Sequence, residues 1–310
     1  MNKSTIADTG MCLCALVRLQ ALLLLLPILL GSDVRGQGQV DGSWTVPSNP
    51  DWALSTSIDA IALQPDGKVI VAGGFTTFWQ QPRMRIARLN PNGTLDSTFD
   101  PGAGPSGPIY DVLVRPDGKI LVAGNFSFFS GASANGIALL NPDGSLNDDF
   151  NTAGAFYDQS SQGIHNPGVI YDIALDPLGR ILLCGYFNRV QGHSTVGVAR
   201  LQSNGNVDEG FATPYFWNAP PQTICGGNDF DVLVAGFFTE VDEETHNRLI
   251  RFNYDGTIDD TFNPFGGGVD ENNPAIESEI FQVVVRPDGQ TWISGDFLTY
   301  NGTSRPNIAL

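Results

Sequence analysis

Apolar residues along most of this chain fall in short runs broken by turn residues, without the sustained 3.6-residue rhythm of an amphipathic helix. Ile58 to Gln64, Lys68 to Gly73, Arg85 to Asn90 and Thr94 to Phe99 are runs of 5 to 7 residues rich in Ile, Val, Leu and Phe, and runs of that length and composition predict strands. Pro65-Asp66-Gly67 separates the first pair and Asn90-Pro91-Asn92-Gly93 the second. In both turns Pro presets φ and Gly takes the left-handed position, so each pair closes as a hairpin. The pattern therefore predicts a four-stranded antiparallel meander.

That meander is repeated. A Gly-x-Phe motif occurs at Gly73-Gly74-Phe75, Gly124-Asn125-Phe126, Gly185-Tyr186-Phe187, Gly236-Phe237-Phe238 and Gly295-Asp296-Phe297. A turn precedes each motif, and a turn glycine follows the first four at a constant offset, at Gly93, Gly144, Gly205 and Gly256. Constant spacing inside a unit, with length variation between units, marks a compact module joined by tolerant loops. Four strands repeating at this interval predict an all-β propeller of four-stranded antiparallel blades, with five units at about 58–99, 109–150, 170–211, 221–262 and 280–310 plus 38–44. Residues 38–44 align with the last strand of a unit, and the fifth unit stops before that strand. Two readings stand open: a ring closed by the N-terminal strand, or a fragment of a larger ring.

The stretches ALQPDGKVIVAGGF with IARLNPNGTLDSTF, and VRPDGKILVAGNF with IALLNPDGSLNDDF, closely resemble the delta-60 repeat family of bacterial secreted propellers. The resemblance runs from about Gly38 to Leu310. It implies the architecture and carries no catalytic residues with it.

Ahead of the repeats, Lys3 and Arg18 precede a twelve-residue apolar run, Leu19 to Leu30, too short to span a bilayer comfortably. With Val34-Arg35-Gly36 behind it, this reads as a signal peptide over 1–36, leaving 37–310 as an exported chain with no membrane insertion. The net charge of −17 repels phosphate backbones, so nucleic acid is not an expected partner. Two cysteines follow the signal, Cys184 and Cys225. Export would permit one bond between them, but two buried thiols are the expected state.

Binding loops belong on the face carrying the links between the second and third strands and between units. Three links carry the candidates: Phe156, Tyr157 and His165; Tyr215, Phe216 and Trp217; Asp270 and Glu271. Flat aromatic rings with polar tips suit a sugar or a partner's hot spot. The expected function is non-catalytic binding of a carbohydrate or a cell-surface protein by a secreted module. The alternatives are a glycan-active enzyme using rim carboxylates and a structural module of a larger surface protein. No nucleophile elbow, metal-ligand motif or phosphate loop is found, so no catalytic residue, metal or cofactor is expected. Asn253, Asp255, Gly256 and Asp259 partly match an oxygen-ligand loop. Arg88, Leu139, Arg200 and Arg251, however, occupy the place of its first carboxylate in the repeats.

Overall fold

The structure is a computed structural model that describes residues 57–79, 81–151, 156–159, 165–216, 218–263, 267–270, 278–286 and 288–310. The expected signal segment and the strand over 38–44 lie outside the described residues. Among those described, every regular element is a strand.

Each unit is built around a central second strand: Val69–Gly73, Ile120–Gly124, Ile181–Tyr186, Val232–Gly236 or Thr291–Asp296. The first strand pairs antiparallel on one side of it (Ile58–Leu63, Ile109–Val114, Val169–Leu175, Pro221–Gly226, Glu279–Val285). The third pairs on the other (Ile86–Leu89, Ile137–Leu140, Val198–Leu201, Leu249–Phe252, Ile308–Ala309).

In the first four units the expected fourth strand shrinks to one bridge each: Leu89 with Leu95, Leu140 with Leu146, Leu201 with Val207 and Phe252 with Ile258. The residue after the bridge stops the strand. Asp96 accepts the Thr98 N–H at 2.9 Å, and Asp259 accepts the Thr261 N–H at 2.9 Å. Such Asx turns take the chain out of the ladder and bring Phe99 or Phe262 back over the unit.

Consecutive units bury their faces against each other. Ile70, Ala72 and Ile86 of the first unit share a core with Ile109, Val112 and Val122 of the second. Leu121 and Leu139 of the second meet Ile173 and Leu183 of the third. Leu182, Cys184 and Val198 of the third meet Ile224 and Val234 of the fourth. Each such Leu or Ile contributes about 2 kcal/mol by leaving water. Polar staples accompany this packing. Asp111 accepts the Ile173 N–H of the next unit at 3.0 Å, and Asp172 accepts the Ile224 N–H and the Thr223 hydroxyl, each at 2.8 Å. The residue after the closing Phe then donates to the next unit's Asx turn: Asp100 to Asp143, Asn151 to Asn204 and Ala212 to Asp255.

The glycine of Gly-x-Phe has a steric reason. Every first strand carries a bulge opposite it, with Asp59, Tyr110, Tyr171, Gln222 and Phe281 as the extra residues. The bulge drives backbone into the space a side chain would fill. A Cβ at Gly73, Gly124, Gly185 or Gly295 would overlap the carbonyl oxygen of Ser57, Pro108, Val169 or Glu279.

Candidate functional site

The links between second and third strands are more regular than expected. Each folds into a two-residue ribbon: Thr77–Phe78 with Gln81–Pro82, Phe128–Phe129 with Ala132–Ser133, Arg189–Val190 with His193–Ser194, Glu240–Val241 with Glu244–Thr245, and Thr299–Tyr300 with Thr303–Ser304. Length variation on this face therefore lies in the links between units alone. Those links are tied down in turn, because each lays one residue across the next ribbon. Pro105 bridges Phe129, Phe156 pairs with Val190, Phe216 bridges Val241 and Val269 bridges Tyr300.

This anchoring corrects the expected display of Phe156 and Phe216. Phe156 is 1% exposed with its ring 5.1 Å from Phe187, and Phe216 is 6% exposed with its ring 4.9 Å from Phe238. Both are core residues, because the anchor position must fill the gap between ribbon and sheet. Asp270 is corrected likewise. It is buried and accepts the Leu298 and Thr299 N–H groups and the hydroxyls of Thr299 and Ser278. Burial would push its carboxyl up, but these donors outweigh that and hold it below the usual carboxylate range. Its acceptor sites are committed to capping a ribbon, the job that the Ser106 hydroxyl does for the Ser127 and Phe128 N–H groups in the second unit.

Tyr157 is half-buried, and Tyr215 is exposed with its hydroxyl 3.2 Å from that of Ser194. The backbone of His165 pairs with Gln159. Trp217 and Glu271 lie outside the described residues. Cys184 and Cys225 are both buried. Among the described residues, no three of His, Cys, Asp and Glu gather so that they could hold a metal ion. In the turns that partly match a calcium loop, Asp255 accepts the N–H and hydroxyl of Thr257, which is ordinary Asx-turn chemistry. The nearby arginines reach into these turns: Arg88, Arg200 and Arg251 each place Nε 2.7 Å from Asp96, Asp208 and Asp259, respectively, while Arg88 also donates to the Pro142 carbonyl oxygen and Arg200 to that of Tyr254. Their guanidinium planes lie over Phe99, Phe211 and Phe262.

What the face does bring together is a cleft between the third and fourth units, with a volume of about 230 Å³. Asp158, Tyr186 and Asn188 line one side and Asn218 and Pro220 the other, and the cleft backs onto the otherwise buried Phe216. The Asn188 side-chain amide donates to Asp158 Oδ1 at 2.6 Å, and the Tyr186 hydroxyl donates to Oδ2 at 3.3 Å. Asp158 raises the Tyr186 phenol above its ordinary value, with burial adding to the effect. Tyr186 is nonetheless 50% exposed, so its ring face is open to a ligand. Tyr171 and Tyr110, both bulge residues, stand with ring centroids 6.2 Å apart. Burial and the neighbouring Tyr110 and Tyr186 push the Tyr171 phenol up. The sequence signal for Tyr186 is the middle position of Gly-x-Phe, which varies through Gly, Asn, Tyr, Phe and Asp while its neighbours stay fixed.

Fold and repeat together define a β-propeller repeat protein. Four stretches, residues 64–99, 115–150, 179–211 and 232–262, match the family described as "Domain of unknown function (DUF5122) beta-propeller". No curated protein matches the chain. Among solved structures it is similar to PorZ, a surface component of the type-IX secretion system of Porphyromonas gingivalis, at 15% identity and a TM-score of 0.47. That match covers 76% of this chain, which spans only 30% of the PorZ chain. Virginiamycin B lyase from Staphylococcus aureus is similar at 16% identity and a TM-score of 0.43, covering 81% of this chain and 68% of the lyase. A protein of unknown function from Bacteroides caccae stands at 15% identity and 0.43, covering 77% of this chain and 70% of that one.

Proposed function

We propose that this protein is an exported, non-catalytic binding module that takes a carbohydrate in the cleft between its third and fourth units. The observation that carries the reading is an exposed tyrosine ring beside a carboxylate and two side-chain amides in one cleft, Tyr186 with Asp158, Asn188 and Asn218. A sugar offers an apolar ring face for stacking and a rim of hydroxyls for hydrogen bonds, and this cleft supplies partners for both. Export rests on the apolar run Leu19 to Leu30 behind Lys3 and Arg18. Among the described residues, no helix is long and apolar enough to cross a membrane.

A glycan array followed by calorimetry tests the reading. Tyr186→Ala should weaken the captured glycan by about 2 kcal/mol with an unchanged melting temperature. A surface protein captured while every glycan fails, or glycan binding indifferent to Tyr186→Ala, would sink it.

A further inference from the structure

We infer that the cleft between the third and fourth units is one end of a longer groove, and that its ligand is a neutral linear oligosaccharide lying across Tyr186, Tyr171 and Tyr110. This rests on the cleft being a sugar site, and it fixes the length and charge of what binds there. Pockets that enclose a whole ligand run from about 300 Å³ upwards. A cleft of about 230 Å³ therefore takes one sugar ring and leaves the rest of a chain outside it.

The surface next to the cleft, on the side of the second unit, is made by the strand bulges. Tyr110 and Tyr171 are the extra residues in the first strands of the second and third units. Asp111 fixes how these strands lie, because it follows Tyr110 and accepts the N–H of Ile173, two residues beyond Tyr171. The two rings stand side by side, with centroids 6.2 Å apart and planes inclined by 38°. Tyr186 completes the row, near enough to Tyr171 for the two phenols to interact. A bulge does not call for tyrosine, since the same position holds Asp59, Gln222 and Phe281 in the other units.

The polar groups along the row are open as well. Tyr110 and Tyr171 are half-buried, and among the described residues neither hydroxyl has a hydrogen-bond partner. A phenol drawn partly out of water normally finds one, and a sugar hydroxyl can both donate to it and accept from it. In the second unit Asn125 takes the place that Tyr186 holds in the third. It is exposed, and among the described residues its side-chain amide has no partner either. Rings for stacking and open polar groups thus continue from the cleft to the second unit, as a chain of sugars requires. The net charge of −17 selects against anionic chains such as polyuronates.

Calorimetry on the exported chain with neutral cello-, malto-, xylo-, manno- and chito-oligosaccharides, each from the disaccharide to the hexasaccharide, gives the test. In a series that binds, affinity should climb with length. Tyr110→Gln should cost the hexasaccharide roughly tenfold and leave the disaccharide unchanged, whereas Tyr186→Ala should weaken every length. Gln222 stands at the Tyr110 position in the fourth unit, so the fold accepts this substitution, and an unchanged melting temperature checks it. A hexasaccharide held no tighter than the disaccharide overturns the inference and leaves the cleft a sugar site. So does a Tyr110→Gln variant that binds every length as the parent does, or oligogalacturonates bound as tightly as the neutral series. If none of the neutral series binds, the inference falls, and a blank glycan array would take the carbohydrate reading of the cleft with it.

Discussion

Asp96 shows how a single carboxylate fixes the local path of the chain. It is 4% exposed, and its Oδ2 receives Arg88 Nε at 2.7 Å and Lys68 Nζ at 2.9 Å, while Oδ1 caps Thr98. Burial would push its carboxyl up. The hydrogen bonds from Thr98, Lys68 and Arg88 prevail and hold it well below the usual carboxylate range. A carboxyl depressed in the folded state adds stability that is fully present above its unfolded pKa, about 4, and is lost as pH falls through the folded value. Asp96→Asn should therefore lower stability at neutral pH and flatten its acid dependence, read by urea titration between pH 7 and pH 2. An unchanged acid limb would show that the pair contributes nothing. Gly124 offers a second check, since a methyl there would strike the Pro108 carbonyl oxygen. Gly124→Ala should cost more than about 2 kcal/mol, against the few tenths expected at an unconstrained surface site. The two cysteines give a third: Cys184 and Cys225 are buried, so native protein should resist a thiol reagent and unfolded protein should react at both. Rapid labelling of either thiol in the native state would contradict the packing described.

At the scale of the element, the hairpin turns and the second strands were legible in the sequence, because Pro-Asx-Gly turns and all-apolar runs each answer to one local cause. Three features were not. The bulges at Asp59, Tyr110, Tyr171, Gln222 and Phe281 leave no mark in an alternating pattern, since the shift they introduce depends on the partner strand. The loss of the fourth strand depends on an Asx turn that shares its composition with the strand it ends. The inward turn of Phe156 and Phe216 depends on the ribbon each crosses, which propensity alone does not foresee. The candidate site was legible only as a face of the molecule. Tyr186 sits at the variable middle position of a motif whose flanking Gly and Phe are the same in all five copies. The anchoring account makes a firm demand: Phe156→Ala should lower stability by about 3 kcal/mol through the void left against Phe187 and Val190. Denaturant midpoints of the parent and the variant measure this directly, and a change below about 0.5 kcal/mol would place Phe156 outside the core.

For the whole molecule, the central claim is that one sheet, copied along the chain, buries each copy against the next. Cross-unit staples from Asp111 and Asp172, and the paired apolar faces, make neighbouring units one cooperative body instead of independent beads. On the function proposed above, the rim carries the binding, in the cleft between the third and fourth units. Native-state amide hydrogen exchange tests the claim most directly. Central strands covered on both faces, Ile120–Gly124, Ile181–Tyr186 and Val232–Gly236, should exchange slowest and at closely similar rates, while the ribbon tips at Gly131 and Gly192 exchange first. Central strands that exchange as fast as the ribbons, or that release one unit at a time, would contradict it.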